Sequence, residues 1–133
     1  MWWQRYLDGP VPYKSKGRDM SGCDCWGLLR LVYRDVLGIE LPSYVEEYER
    51  ADDRAGAAQA ISLHIHEWDV VSPSRAKEGD AVAMTIGGHV CHVGVVTVPG
   101  RMLHITRGIN ASHESYKSIC WAKRVEGIYR CQA

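Results

Sequence analysis

The sequence has no surplus of charge: 16 Lys and Arg stand against 16 Asp and Glu, and no basic run is interleaved with aromatic residues. A polyanion finds no electrostatic footprint, which argues against a nucleic-acid partner. Also missing is any stretch near the roughly 18 apolar residues that a membrane span needs. The opening MWWQRYLDGP carries Arg5 and Asp8 and no apolar core ending in small residues, so it does not read as a secretory signal. The expectation is a chain made in a bacterial cytoplasm and kept there, at least at first. The cysteines do not make pairs: Cys23, Cys25, Cys91, Cys120 and Cys131 are five in number, and without a signal they argue for reduced thiols rather than a disulfide framework. Internal repeats, low-complexity tracts and long linkers are absent as well. The 133 residues, 46% of them hydrophobic, suit a single domain over 1–133 whose core removes roughly two-thirds of the unfolded surface from water.

What is present divides into a helical first half and a strand-rich second half. Residues 1–8 suit a short helix anchored by Trp2, Trp3 and Tyr6, with the paired tryptophans serving the core or a docking surface. The following DGPVPYKSKGRDMSG is rich in Gly, Pro and Ser and reads as loop. From Asp24 onward, Cys25, Leu28, Leu29, Val32, Tyr33 and Val36 recur at the spacing of one helix face, and Gly38 followed by Pro42 ends the pattern. An alanine-rich segment over about residues 46–64 suggests a second helix, with Gly56 a weak point inside it. Beyond it, WDVV, GDAVAMTIGG, HVCHVGVVTVPG, RMLHIT and VEGIYR are short β-rich runs, and TVPGRM suits a hairpin turn. Helices first and antiparallel strands afterwards predict an α+β fold.

Cys25 makes a physical prediction. With Asp24 as N-cap it is the first helical residue, where unpaired backbone N–H groups and the helix dipole stabilise a thiolate, so its pKa is expected to fall. The same N–H groups would bind the oxyanion formed when the thiolate attacks a carbonyl. A small apolar core residue fits the position equally well. A nucleophile needs a base, and the strands offer His89, His92 and His104. In a regular strand His89 and His92 face opposite sides. His92, inside the strand and close before Gly94, is the better candidate. His104 lies on the next strand, where a group that orients His92 would have to be.

In this order, DCWGLLRLVYRDVLGIELPSY, EGDAVAM, HVGVV and MLHIT resemble the successive motifs of the NlpC-type papain-like cysteine peptidases, a likeness that runs from about Tyr13 to VEGIYR. The resemblance implies a papain-like fold in which N-terminal helices, the nucleophile helix among them, pack on a five- or six-stranded antiparallel sheet. It implies Cys25 as nucleophile, His92 as general base and acid, and His104 as the group orienting His92. Tyr13 matches an upstream tyrosine near the nucleophile that assists the oxyanion, and Asp24 would help to bind a substrate amine besides capping the helix. The implied substrate is a peptidoglycan stem peptide, cut between D-γ-glutamyl and a diamino acid, with no cofactor and no metal. Trp26 departs from the family pattern, which commonly has serine there, and leaves the choice of bond open. GRDMSGCD ahead of the motif and LPSY behind it are similar to the phage and gene-transfer-agent tail assembly branch, so phage tail-tip proteins are implied partners and a virion tail an implied destination.

Two other readings have specific supports. Cys23, Cys25, Cys91 and one histidine would supply four zinc ligands, but Cys-x-Cys across a helix start is not the spacing of structural zinc. An enzyme fold kept as a structural tail component would leave the cysteine unused. Gly-x-Ser-x-Gly, His-Glu-x-x-His and phosphate-loop motifs are absent.

Overall fold

The chain enters its first deeply buried helix at Asp24 in the computed structural model, which describes residues 1–50 and 54–132. Ahead of that point lie a one-turn helix, α1 (Gln4–Leu7), and two short paired strands, β1 (Arg18–Asp19) and β2 (Gly22–Cys23). α2 (Cys25–Val32) starts as the periodicity predicts, because the Asp24 carboxylate accepts the Gly27 N–H at 2.9 Å and replaces one missing helix bond. It continues as a π-helical turn over Tyr33–Leu37 and stops at Gly38, whose φ of +68° closes the helix in the left-handed region. Leu28, Leu29, Leu31 and Val32 are each 1% exposed, and burying side chains of this size stabilises the fold by about 1.5–3 kcal/mol apiece.

The expected second helix is present in two pieces. A 3-10 turn covers Val45–Glu47, and α3 spans Arg54–Ile65. The part of the expectation that covers residues 51–53 lies outside the described residues. None of the described helices is long and apolar enough to cross a membrane.

The second half forms one antiparallel sheet of six strands: β3 (Asp69–Val71), β4 (Ala81–Ile86), β5 (His89–Val98), β6 (Arg101–Thr106), β7 (Ile109–Ser115) and β8 (Val125–Arg130). Their order across the sheet is β3-β8-β4-β5-β6-β7. The Pro99-Gly100 turn makes the expected hairpin between β5 and β6, with Gly100 at φ +92°. Alternation divides the sheet into two faces. Ala81, Ala83, Val93, Val95, Leu103 and Ile105 pack with α2 and with Ile61 and Ile65 of α3. Val82, Met84, Val96, Met102 and Ile128 pack on the other side with Tyr116 and Trp121.

The N-terminal segment closes the end of the sheet. The Ala111 N–H of β7 donates to the Val11 carbonyl at 2.9 Å, and the Trp3 ring lies 5.3 Å from that of His113. Trp3 is buried and Trp2 half-buried against it in an edge-on pair, so both belong to this packing.

One irregularity corrects the parity expected for the histidines. The β4–β5 ladder slips between Met84 and Thr85, pairing His92 with Met84 and Val90 with Thr85, so that Cys91 is an extra residue. His89 then pairs with Ile86, which shares a face with Met84. The bulge shifts the alternation by one, and His89 and His92 fall on the same face rather than on opposite ones.

Candidate active site

The site is built where β5 and β6 part. Their recorded pairs run only from Val95↔Leu103 to Val98↔Arg101, leaving residues 91–93 of β5 beyond the ladder. The start of α2 fills that place. The Cys25 thiol donates to the Cys91 carbonyl at 3.8 Å, and the Val93 and Trp26 N–H groups act on its sulfur. The thiol is thus held by the backbone on both sides of His92, and no hydrogen bond joins it to the His92 ring.

The expected fall in the Cys25 pKa is not what the surroundings produce. Burial, followed by the Asp24 charge next to it, pushes the thiol up to about 12, while the N–H groups of Val93 and Trp26 pull it down by less. The helix terminus acts in the predicted direction, and desolvation of the charged form outweighs it.

His92 and His104 come together as the neighbouring-strand argument requires. Nε2 of His92 and Nδ1 of His104 share a hydrogen bond of 2.8 Å, and each residue is 3% exposed. Gly94 makes the approach possible, since a Cβ there would lie 2.9 Å from Met102 Sδ and 3.3 Å from His104 Cβ. Trp121 covers the pair: its ring stacks on His92 with centroids 5.5 Å apart and meets His104 edge-on at 5.1 Å. Burial drives the His92 pKa down to about 3, with the neighbouring His104 adding to the effect, so the ring is held neutral. His104 is also lowered by burial, opposed by its hydrogen bond to the carboxylate of Glu114. The histidines lie on the sheet face of Met84 and Trp121, and the body of α2 packs on the other. The thiol reaches β5 at the Cys91 and Val93 backbone, where β5 parts from β6.

Asp24 is 1% exposed and fully occupied. Its oxygens accept from the Gly27 N–H at 2.9 Å, the Lys16 N–H at 2.9 Å, Arg18 Nη1 at 2.7 Å and the Tyr48 hydroxyl. Arg18 also reaches the Ser43 carbonyl at 2.8 Å and the Tyr48 hydroxyl at 2.6 Å. An incoming amine would have to displace one of these donors, so the geometry assigns Asp24 to holding the helix start and its two flanking loops. Tyr13 forms a backbone bridge with Cys23, two residues before Cys25, and is half-buried against the main core.

A shallow open cleft lies beside Cys25. Trp26 forms one wall, its Nε1 donating to the Pro42 carbonyl at 3.0 Å and its ring 5.4 Å from that of Tyr44. Ala57, Ala60 and Ile61 of α3 also line it. His64 stacks on Tyr44 at 3.6 Å and bonds Glu47 at 2.7 Å. Cys23 donates to the Asp19 carbonyl at 3.1 Å and Cys91 to the Ile86 carbonyl at 3.8 Å.

The sequence pattern did not reveal Glu114, Trp121, Arg18 or Tyr48. The only signal for Glu114 is its place on β7: it pairs with Met102, two residues from His104 on the same face.

Comparison with known proteins agrees with this architecture. The NlpC/P60 family model matches residues 10–130. Gamma-DL-glutamyl hydrolase of Bacillus subtilis is 27% identical over 123 residues, which are 90% of this chain and 26% of that protein. This chain therefore spans about a quarter of that relative. Among solved structures, an NlpC/P60 family protein from Bacillus cereus superposes with a TM-score of 0.68 at 20% identity, over 92% of this chain and 36% of that one. The NlpC/p60 domain of the peptidoglycan hydrolase SagA superposes with a TM-score of 0.61 at 22% identity, over 90% of this chain and 86% of that one.

Proposed function

The chain belongs to the NlpC/P60 family, and from that membership and its site we propose that it is a cysteine hydrolase cutting an amide bond in peptidoglycan stem peptides, on the acyl side of which lies a D-γ-glutamyl residue. The observation that carries the reading is the placing of Cys25 at a helix N-terminus against the backbone flanking His92, which is itself bonded to His104. The likeness to a γ-DL-glutamyl hydrolase and to the domain of a peptidoglycan hydrolase supports the choice of substrate.

In the proposed cycle His92 takes the thiol proton, Cys25 attacks the γ-glutamyl carbonyl, and His92 returns the proton to the departing amine. Water activated by His92 then releases the acyl group. The Cys25 and Trp26 N–H groups, at the first positions of α2, are the donors for the oxyanion, with Tyr13 assisting from the adjacent loop. The resting thiol and imidazole are both neutral and unlinked, so substrate binding must close the gap between them, as catalytic hydrogen bonds often tighten only in the complex. The cleft walled by Trp26, Tyr44 and α3 receives the substrate. The sequence likeness to tail assembly proteins supports delivery of the enzyme to the wall by a phage tail tip, after synthesis in the bacterial cytoplasm.

Purified muropeptides incubated with the protein are expected to yield fragments ending in D-γ-glutamate, and Cys25→Ala to lower the rate by at least about a thousandfold. Equal rates for the two proteins, or none for either, would overturn the proposed chemistry. Particles assembled with Cys25→Ala protein are expected to lose infectivity through intact walls; normal infection would leave the chain a structural tail part.

A further inference from the structure

Beyond the residues of the proposed chemistry, a further side chain joins the hydrogen-bonded pair of His92 and His104. Glu114 of β7 accepts from His104 Nε2 through its Oε2, and its side chain is 45% exposed where that of His104 is 2% exposed. From its most buried member outward, the row reads His92, His104, Glu114, and the first two members have Trp121 packed over them.

The end member fixes the direction of every bond in the row. A neutral imidazole has one N–H and one bare nitrogen, and a carboxylate offers only lone pairs. Next to Glu114, Nε2 of His104 must carry the hydrogen, which leaves its Nδ1 bare. That Nδ1 is 2.8 Å from His92 Nε2, so it accepts, and the hydrogen of His92 lies on Nε2. The remaining nitrogen of His92, Nδ1, is then bare and able to take a proton. Without Glu114 the row can run the other way, with His104 donating from Nδ1 and His92 carrying its hydrogen on Nδ1, where it cannot act as a base.

We propose that Glu114 is a positioning residue that, acting through His104, holds His92 in the tautomer whose Nδ1 is free to deprotonate Cys25. The proposal rests on the hydrolase reading for its consequence in rate, but its tautomer claim stands apart from any substrate. When His92 takes up the thiol proton, the new imidazolium donates from Nε2 to the bare Nδ1 of His104, and the Glu114 carboxylate lies one ring away to balance the charge. No proton need leave Glu114 or reach it. The closest general analogy is the buried carboxylate that orients the histidine of a serine-protease triad, where the wrong tautomer is costly although the geometry survives.

The test uses the whole chain labelled with 15N-histidine. Long-range 15N–1H correlation spectra of the wild type at neutral pH should show both His92 and His104 with hydrogen on Nε2. In Glu114→Ala, whose partly exposed position leaves the fold intact by thermal unfolding, His92 should move wholly or partly to the Nδ1–H form. On muropeptides the variant should lose at least tenfold in kcat with KM within about twofold. A wild type carrying the hydrogen on His92 Nδ1, tautomers unmoved in Glu114→Ala, or an undiminished kcat would each overturn the proposal. If wild type and Cys25→Ala turn over muropeptides equally, the hydrolase reading fails, and the spectra still decide what Glu114 does to the tautomers.

Discussion

Cys25 is subject to two opposed influences of different range. The helix start is local and legible from Asp24 and the apolar spacing after it; the enclosure by β5 is tertiary and comes from residues nearly seventy positions later. Because the second dominates and holds the thiol up at about 12, the thiolate is scarce at neutral pH and its fraction grows about tenfold for each pH unit up to that value. Iodoacetamide is therefore expected to label exposed Cys120 well before Cys25 at pH 7, and the Cys25 rate to keep rising between pH 8 and 11. Peptide mapping of alkylated protein checks this, and a Cys25 rate that is flat above pH 7 would show a thiolate already formed at rest. In the proposed cycle this sign has a consequence: a resting thiol that gives up its proton only when His92 receives it is protected from oxidation as well as from stray electrophiles.

The start of α2 depends on small residues that let loops close onto it. A Cβ on Gly27 would lie 2.0 Å from the Gly17 carbonyl oxygen and 3.1 Å from Arg18 Nη1. Gly27→Ala is therefore expected to destabilise the protein by about 2 kcal/mol or more, since overpacking against backbone outweighs the roughly 1 kcal/mol that alanine gains over glycine in a helix. Urea unfolding measures the balance, and a midpoint equal to the wild type's would refute the close packing of this loop. Elements of this kind were the readable part of the sequence. The span of α2, its Asp24 cap and its Gly38 stop follow from period and end signals, and the β5–β6 hairpin follows from Pro-Gly. The bulge at Cys91 left no mark, because an extra residue in a ladder is defined by the partner strand. For the same reason Glu114 was silent: nothing near it in sequence says which strand its side chain will face.

At the scale of the molecule, the sheet carries the histidines, the helical half carries the thiol, and the Asp24 cluster fastens the two loops that set the thiol's position. His92 and His104 were legible as neighbours because consecutive strands commonly pair. The occupation of Asp24 was not, since Arg18 and Tyr48 approach it from opposite sides in sequence. The sheet also has a flank that the N-terminal segment covers. β7 is its last strand, and an uncovered last strand offers its N–H and C=O groups to any similar strand that passes. Here the Val11 carbonyl takes the Ala111 N–H, and Trp3 lies over His113. Deleting residues 1–11 is expected to yield a chain that sediments as concentration-dependent oligomers where the full chain does not. The tryptophan-rich opening segment would then serve a second purpose beside core packing: it keeps one copy of the sheet from growing onto another.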